Sequence, residues 1–223
     1  MTTTLIIGAS RGIGLELARQ ALGAGERVIA TARDDDALAQ LRALGAQALR
    51  VDVADPASVS GLSWQLDGEK IDAAWHVAGV MCGRADAHQP PTQADFDRVM
   101  RANVLGAMQV IPQVAPLVEA ARGRMAFLSS AMGLIGQAHS SGAWLYRVSK
   151  AALNMAVASA QSAYPNAIMV CLHPGWVQTR MGGAGAPVTP HDSAAGLRRV
   201  LAALSEADRG SFIHYDGARA GGW

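Results

Sequence analysis

Short apolar runs alternate with helix-like stretches along the whole chain, and this alternation limits the fold more than any other feature. Leu5-Ile6-Ile7 reads as a strand and Gly12 to Leu22 as a helix. Further strands fall at Val28 to Thr31, Ala48 to Val51, Ala73 to Val77, Met125 to Leu128, Ile168 to Leu172 and Phe212 to His214. Helices fall between them at Asp36 to Leu44, Ser58 to Leu66, Gln93 to Glu119, Leu145 to Ser162 and Ser193 to Leu204. The longest of these should bend or break at Pro112 or Pro116, because proline removes a helix donor and clashes with the preceding turn. Near-continuous apolar runs of this kind suit strands of a parallel sheet buried on both faces. Strand–helix alternation then predicts an α/β fold, a doubly wound, seven-stranded, mostly parallel sheet with helices on both faces. Ligands of such sheets bind in the loops at the strands' carboxyl ends.

Composition agrees and narrows the classes. The 223 residues suit one domain, and 50% hydrophobic content with 17% charge excludes disorder and a coiled coil. A net charge of +1 offers no field for nucleic acid or a membrane surface. The most apolar stretch, Ala102 to Val118, is too short for a membrane span and is broken by Asn103, Pro112 and Pro116. Met1 to Leu5 lacks a signal-peptide pattern, and the two cysteines, Cys82 and Cys171, make no disulfide framework. A cytoplasmic protein is expected.

The first strand runs into Gly8-Ala9-Ser10-Arg11-Gly12-Ile13-Gly14 and then a helix. Glycines there permit a tight turn and let a pyrophosphate approach the helix N-terminus. The context is that of a Rossmann-type dinucleotide site, although the spacing is G-x-x-x-G-x-G. Gly8 to Gly12 also matches G-x-S-x-G, the nucleophile elbow of hydrolases. Position argues against that reading, since only one strand precedes Ser10. After the second strand comes Arg33, where a carboxylate would select the ribose hydroxyl of NAD; with Arg11 it favours the 2′-phosphate of NADP(H). Asp34-Asp35-Asp36 follow directly and read as caps of the next helix. Asp52-Val53 are placed to meet the adenine.

Tyr146 and Lys150 stand four apart in one helix, so both lie on one face. An ammonium beside a phenol favours phenolate and makes a usable acid–base group. Ser129-Ser130 end the fifth strand and could hydrogen-bond a substrate carbonyl. Asn103, in an apolar helix, needs a partner, since burying an unpaired amide is costly.

This ordered set resembles the short-chain dehydrogenase/reductases over nearly the whole chain, 1–223. It comprises the Gly8–Gly14 loop, Asp52, Ala78-Gly79, Asn103, Ser130, Tyr146/Lys150 and Pro174-Gly175. Within that superfamily the chain is most similar to the sniffer/C-factor carbonyl-reductase branch. The matching pieces are Ser129–Gly133, Ser141–Arg147, His173–Thr179, Tyr215-Asp216-Gly217 and the closing Trp223.

The resemblance implies Tyr146 as general acid or base, and Lys150 as the group that lowers its pKa and holds the nicotinamide ribose. It implies Ser130 as carbonyl ligand and Asn103 as holder of a water linked to Lys150. It implies Thr179 and the Val177 backbone as carboxamide ligands. It further implies a homodimer or homotetramer through the long helix and the helix of Tyr146. His76-Val77-Ala78-Gly79 departs from the family's Asn-Asn-Ala-Gly, and the gap from Ser130 to Tyr146 is longer than usual.

No metal spacing is present; His76 and Cys171 read as core residues, and nothing beside Cys82 argues for activation. Met81, Met132, Trp144, Trp176 and Met181 read equally as core filler or as an apolar pocket, while Arg84, Arg147 and Arg180 are candidates for selecting an acid group. The leading function is NADPH-dependent interconversion of a hydrophobic ketone or aldehyde with its alcohol. The alternatives are an NADP(H)-binding regulator without turnover and a hydrolase through Ser10.

Overall fold

The computed structural model describes residues 1–83 and 85–223, so Arg84 lies outside the described residues. Among the described residues seven strands form one sheet: β1 (Thr3–Ile7), β2 (Arg27–Ala32), β3 (Gln47–Arg50), β4 (Ala73–His76), β5 (Arg124–Leu128), β6 (Ile168–His173) and β7 (Phe212–His214). Their order is β3-β2-β1-β4-β5-β6-β7, and every neighbouring pair is parallel. The helices are α1 (Gly12–Gly23), α2 (Asp35–Ala43), α3 (Pro56–Ser60), α4 (Leu62–Gln65), α5 (Gln93–Met100), α6 (Gly106–Ala120), α7 (Trp144–Gln161) and α8 (Pro190–Ala203).

Side-chain alternation along the strands splits the core in two. Leu5 and Ile7 of β1, with Met125 and Phe127 of β5, face α6 and α7 through Val110, Val114, Leu153 and Val157. Ile6, Trp75 and Ala126 face α1, α2 and α8 through Leu17, Leu38, Leu41 and Leu197. Both faces are covered, which is why the strands carry no polar alternation.

Two helix expectations are corrected. The Ser58–Leu66 segment is two short helices meeting at Gly61. The long helix does not break at a proline. It passes through Pro112 and Pro116 as regular α6, and both prolines are exposed, so water can reach the carbonyls that lose a donor. Its irregularity lies earlier, as a π-helical turn at Arg101–Leu105 that contains Asn103. Such turns re-aim a side chain within an otherwise continuous helix.

Candidate active site

The strand order reverses between β1 and β4, and the loops that follow these two strands meet at that point. A Cβ on Gly8, which has φ +91°, would lie 2.8 Å from the Ala78 nitrogen. A Cβ on Gly14 would lie 2.2 Å from the Gly8 carbonyl oxygen, so only glycine permits this approach of α1 to the strand. Arg11 precedes α1 in extended conformation and no side chain caps the helix. The free N–H groups of its first turn suit an anion. Ser10 and Ile13 are half-buried in the same turn. Thr179, from the loop after β6, closes over it, with its methyl 3.3 Å from where a Gly12 Cβ would stand.

At the end of β2 the Arg33 guanidinium lies 3.6 Å from the Asp52 carboxylate, and both side chains are more than a third exposed. The three following acids have structural uses. Asp34 caps α2 by accepting from the Ala37 N–H at 2.9 Å, Asp35 pairs with Arg50, and Asp35 and Asp36 occupy the first turn. The acid facing Arg33 is therefore Asp52, a pairing the sequence gives no sign of. Val53 beside it is buried.

The reactive residues come from two elements. Ser130 lies two residues past the end of β5 and accepts from the Met132 N–H at 3.1 Å. Tyr146 and Lys150 project from the first turns of α7, which begins after Ala143, a buried residue at φ +56°. Lys150 is 4% exposed. Its Nζ donates to the Leu128 carbonyl at 2.8 Å and stands 5.6 Å from the centre of the Tyr146 ring. Burial pulls the lysine down to about 8. Burial pushes the tyrosine up to about 12, with the neighbouring Ser130 side chain acting the other way. At neutral pH the protein alone thus holds a protonated phenol beside an ammonium. The depressed phenol pKa implied by the family likeness is outweighed here by desolvation.

Asn103 has the partners its burial demands. Its Nδ2 donates to the Val80 carbonyl at 2.8 Å and to Ser149 Oγ at 2.9 Å, and its Oδ1 accepts from the Val80 N–H at 2.7 Å. Ser149 Oγ in turn donates to the Tyr146 carbonyl at 2.8 Å. The amide ties the loop after β4 to the second turn of α7. Gly79 completes the contact, since a Cβ there would lie 3.2 Å from Asn103 Oδ1 and 3.6 Å from Lys150 Nζ. Ser149 was not foreseen, nor was Asn154, which accepts from Ser129 Oγ at 2.6 Å and donates to the Gly133 carbonyl at 3.3 Å. Their signal was polar residues on the core face of an otherwise apolar helix.

After β6, the Pro174 carbonyl accepts from Ser193 Oγ at 2.7 Å, Gly175 (φ +85°) lies against Tyr215, and Val177 bridges to Val188. Of the arginines read as acid selectors, Arg147 is used locally, donating to the Gly142 carbonyl at 3.0 Å, while Arg180 is exposed. His76 and Cys171 are buried, and His76 stacks on Phe127 at 5.6 Å. Cys82 is half-buried, and burial raises its thiol, so it is not activated. No metal-binding group of three or more His, Cys, Asp or Glu residues occurs among the described residues. No helix there is long and apolar enough to cross a membrane.

Comparison with known proteins agrees with this geometry. Residues 2–187 match the family model for short chain dehydrogenases. The chain is 34% identical to the 1-hydroxy-2-glutathionyl-2-methyl-3-butene dehydrogenase of Rhodococcus sp. strain AD45, over 97% of this chain and 98% of that one. Its fold superposes on the carbonyl reductase Sniffer of D. melanogaster with a TM-score of 0.91, at 27% identity and complete coverage of both chains. It superposes on a carbonyl reductase of Pseudomonas aeruginosa PAO1 in complex with NADP with a TM-score of 0.87, at 30% identity and again complete coverage. The chain belongs to the short-chain dehydrogenase/reductase family, in its sniffer/C-factor-like branch, and is an NAD(P)-dependent oxidoreductase.

Proposed function

We propose that the protein is an NADPH-dependent carbonyl reductase that interconverts a hydrophobic ketone or aldehyde with its alcohol. One observation carries this reading: Lys150, with Tyr146 beside it, shares a wall with the dinucleotide crevice at Gly79, next to the carbonyl-binding position of Ser130. Gly8, Ser10, Arg11, Gly12, Ile13 and Gly14 hold the pyrophosphate, and Arg11 and Arg33 the 2′-phosphate. Asp52 and Val53 flank the adenine. Ala78, Gly79, Pro174, Gly175, Val177 and Thr179 line the nicotinamide side, and Tyr146 and Lys150 meet its ribose. The NADP of the Pseudomonas complex supports this choice of cofactor.

The cofactor supplies the hydride. The chain supplies orientation and the proton. Ser130 Oγ donates to the substrate oxygen, and the Tyr146 hydroxyl passes its proton to that oxygen as negative charge develops there. The Lys150 ammonium stabilises the phenolate left behind. Asn103 keeps the loop beside Lys150 in place. Ile135, Trp176 and Met181 are exposed apolar side chains on the loops after β5 and β6, which favours an apolar substrate.

The same reading includes a homodimer or homotetramer. Met108 on α6, and Val148 and Met155 on α7, are at least half exposed and apolar. The cysteines are free, as in a reducing cytoplasm. A panel of ketones and aldehydes, followed by NADPH absorbance, tests the activity. Consumption with apolar carbonyls is expected, and none across a broad panel would overturn the reading.

A further inference from the structure

The loop between Ser130 and α7 is anchored unevenly. Its first part is held by the core: Leu134 is 1% exposed, and a Cβ on Gly133 would stand 2.7 Å from the Lys150 backbone. Its far part, from Gln137 to Ser141, is exposed. Between them the Gly136 N–H donates to the backbone oxygen of Trp223 at 3.2 Å. Ile135, beside that bond, is 74% exposed, so the tied turn presents an apolar side chain outward.

Trp223 is itself placed from two directions. The Ala220 N–H donates to the Phe212 carbonyl at 3.1 Å, which holds the segment to β7. Gly221 and Gly222 then cross with nothing packed where their Cβ atoms would be. The Trp223 ring meets Phe212 edge-on at 6.2 Å. Phe212 meets His214 at 5.7 Å, and His214 meets His173 at 5.2 Å. This file of rings ends at the residue before Pro174. The loop after Ser130 and the loop on the nicotinamide side therefore lean on one aromatic stack, and such edge-to-face pairs have a defined geometry.

We propose that Trp223 is a specificity-determining positioning residue. Its ring, seated on Phe212, sets where its backbone oxygen holds Gly136, and so where Ile135 stands at the mouth of the substrate site. The substrate class this favours is a carbonyl with a bulky apolar substituent that packs on Ile135. The inference rests on the carbonyl-reductase reading of Ser130 and Tyr146.

The test compares the full-length protein with Trp223→Ala and Trp223→Phe. Rates are measured on one compact and one bulky apolar ketone, with amide exchange of Gly136 followed separately. Trp223→Ala should raise KM for the bulky ketone about tenfold, a loss of about 1.4 kcal/mol in binding. kcat and the KM for NADPH should stay near those of the unmodified protein. Gly136 exchange should quicken, and Trp223→Phe should restore both properties. Faster exchange with unchanged KM would overturn the specificity role. A parallel fall in kcat, both affinities and the melting temperature would reduce Trp223 to general support and also overturn it. If the unmodified protein reduces no carbonyl, the parent reading fails, whereas unchanged Gly136 exchange in Trp223→Ala refutes the clamp alone.

Discussion

Arg33 and Asp52 face one another beyond the ends of β2 and β3, 3.6 Å apart, each side chain more than a third exposed. An exposed pair of this kind contributes little, about 0–1 kcal/mol, so the guanidinium can be drawn to a stronger partner. A 2′-phosphate is such a partner, and each charge-assisted contact is worth roughly 1.5–3 kcal/mol. The ratio of kcat/KM for NADPH over NADH should be of order a hundredfold. Arg33→Asp should reverse or abolish that preference. Asp52→Asn should increase it, because the competing carboxylate is gone while adenine contacts are common to both cofactors. Equal use of the two cofactors by the unmodified protein would refute the role of Arg33.

Lys150 gives a stability signature with a definite sign. Burial favours its neutral form, so between about 8 and 10.5 the folded chain binds fewer protons than the unfolded one. Stability then rises with pH across that window. Lys150→Met removes the group; its advantage in unfolding free energy near neutral pH should shrink, by up to about 3 kcal/mol, as pH climbs through this range. A constant difference would show that the ammonium is not desolvated. In the unmodified protein, carbonyl reduction should weaken above pH 8 as the ammonium loses its proton.

His76 acts in the acid range. Burial lowers it to about 4, with the Lys150 charge adding to the effect, and its Nε2 has no hydrogen-bond partner among the described residues. Between about 6.5 and 4 the unfolded chain binds the extra proton, so stability is lost as pH falls through that interval. His76→Phe keeps a ring against Phe127 and removes the titration. Relative to this variant the unmodified protein should lose up to about 3 kcal/mol on acidification, read from denaturation midpoints. Parallel pH curves would contradict it. His173 is lowered to about 4 by the same cause, so some acid lability should persist in the variant.

The sheet and the reactive set were legible because their signals are local. Leu5 to Gly14 carries a strand, a turn and a helix start in one window, and the spacing of Tyr146 and Lys150 survives any detail of helix ends. What escaped reading depends on contacts between distant segments. The π-turn at Arg101–Leu105 accompanies the bonds of Asn103 to Val80 and Ser149, across the loop from β4 and the start of α7. The prolines in α6 looked like breakers, yet their exposure lets solvent replace the missing bonds. The pairing of Arg33 with Asp52 and the bond from Gly136 to Trp223 join residues that no periodicity connects.

Assembly is tested on the exposed apolar faces of α6 and α7. Light scattering at micromolar concentration should report a dimer or tetramer. Met155→Glu, at a position 68% exposed, should give a folded monomer, because a charge at the centre of an apolar contact opposes its burial. A monomeric unmodified protein would refute the assembly.

The most direct measurement is the turnover of Tyr146→Phe on the best carbonyl of the panel, paired with a titration of NADPH binding. The variant keeps the ring and removes the proton that the buried phenol holds at neutral pH. Turnover should fall by about two orders of magnitude or more, while NADPH affinity stays close to that of the unmodified protein. Retention of most of the rate with the cofactor bound would contradict Tyr146 as the proton donor, and with it the proposed reduction chemistry.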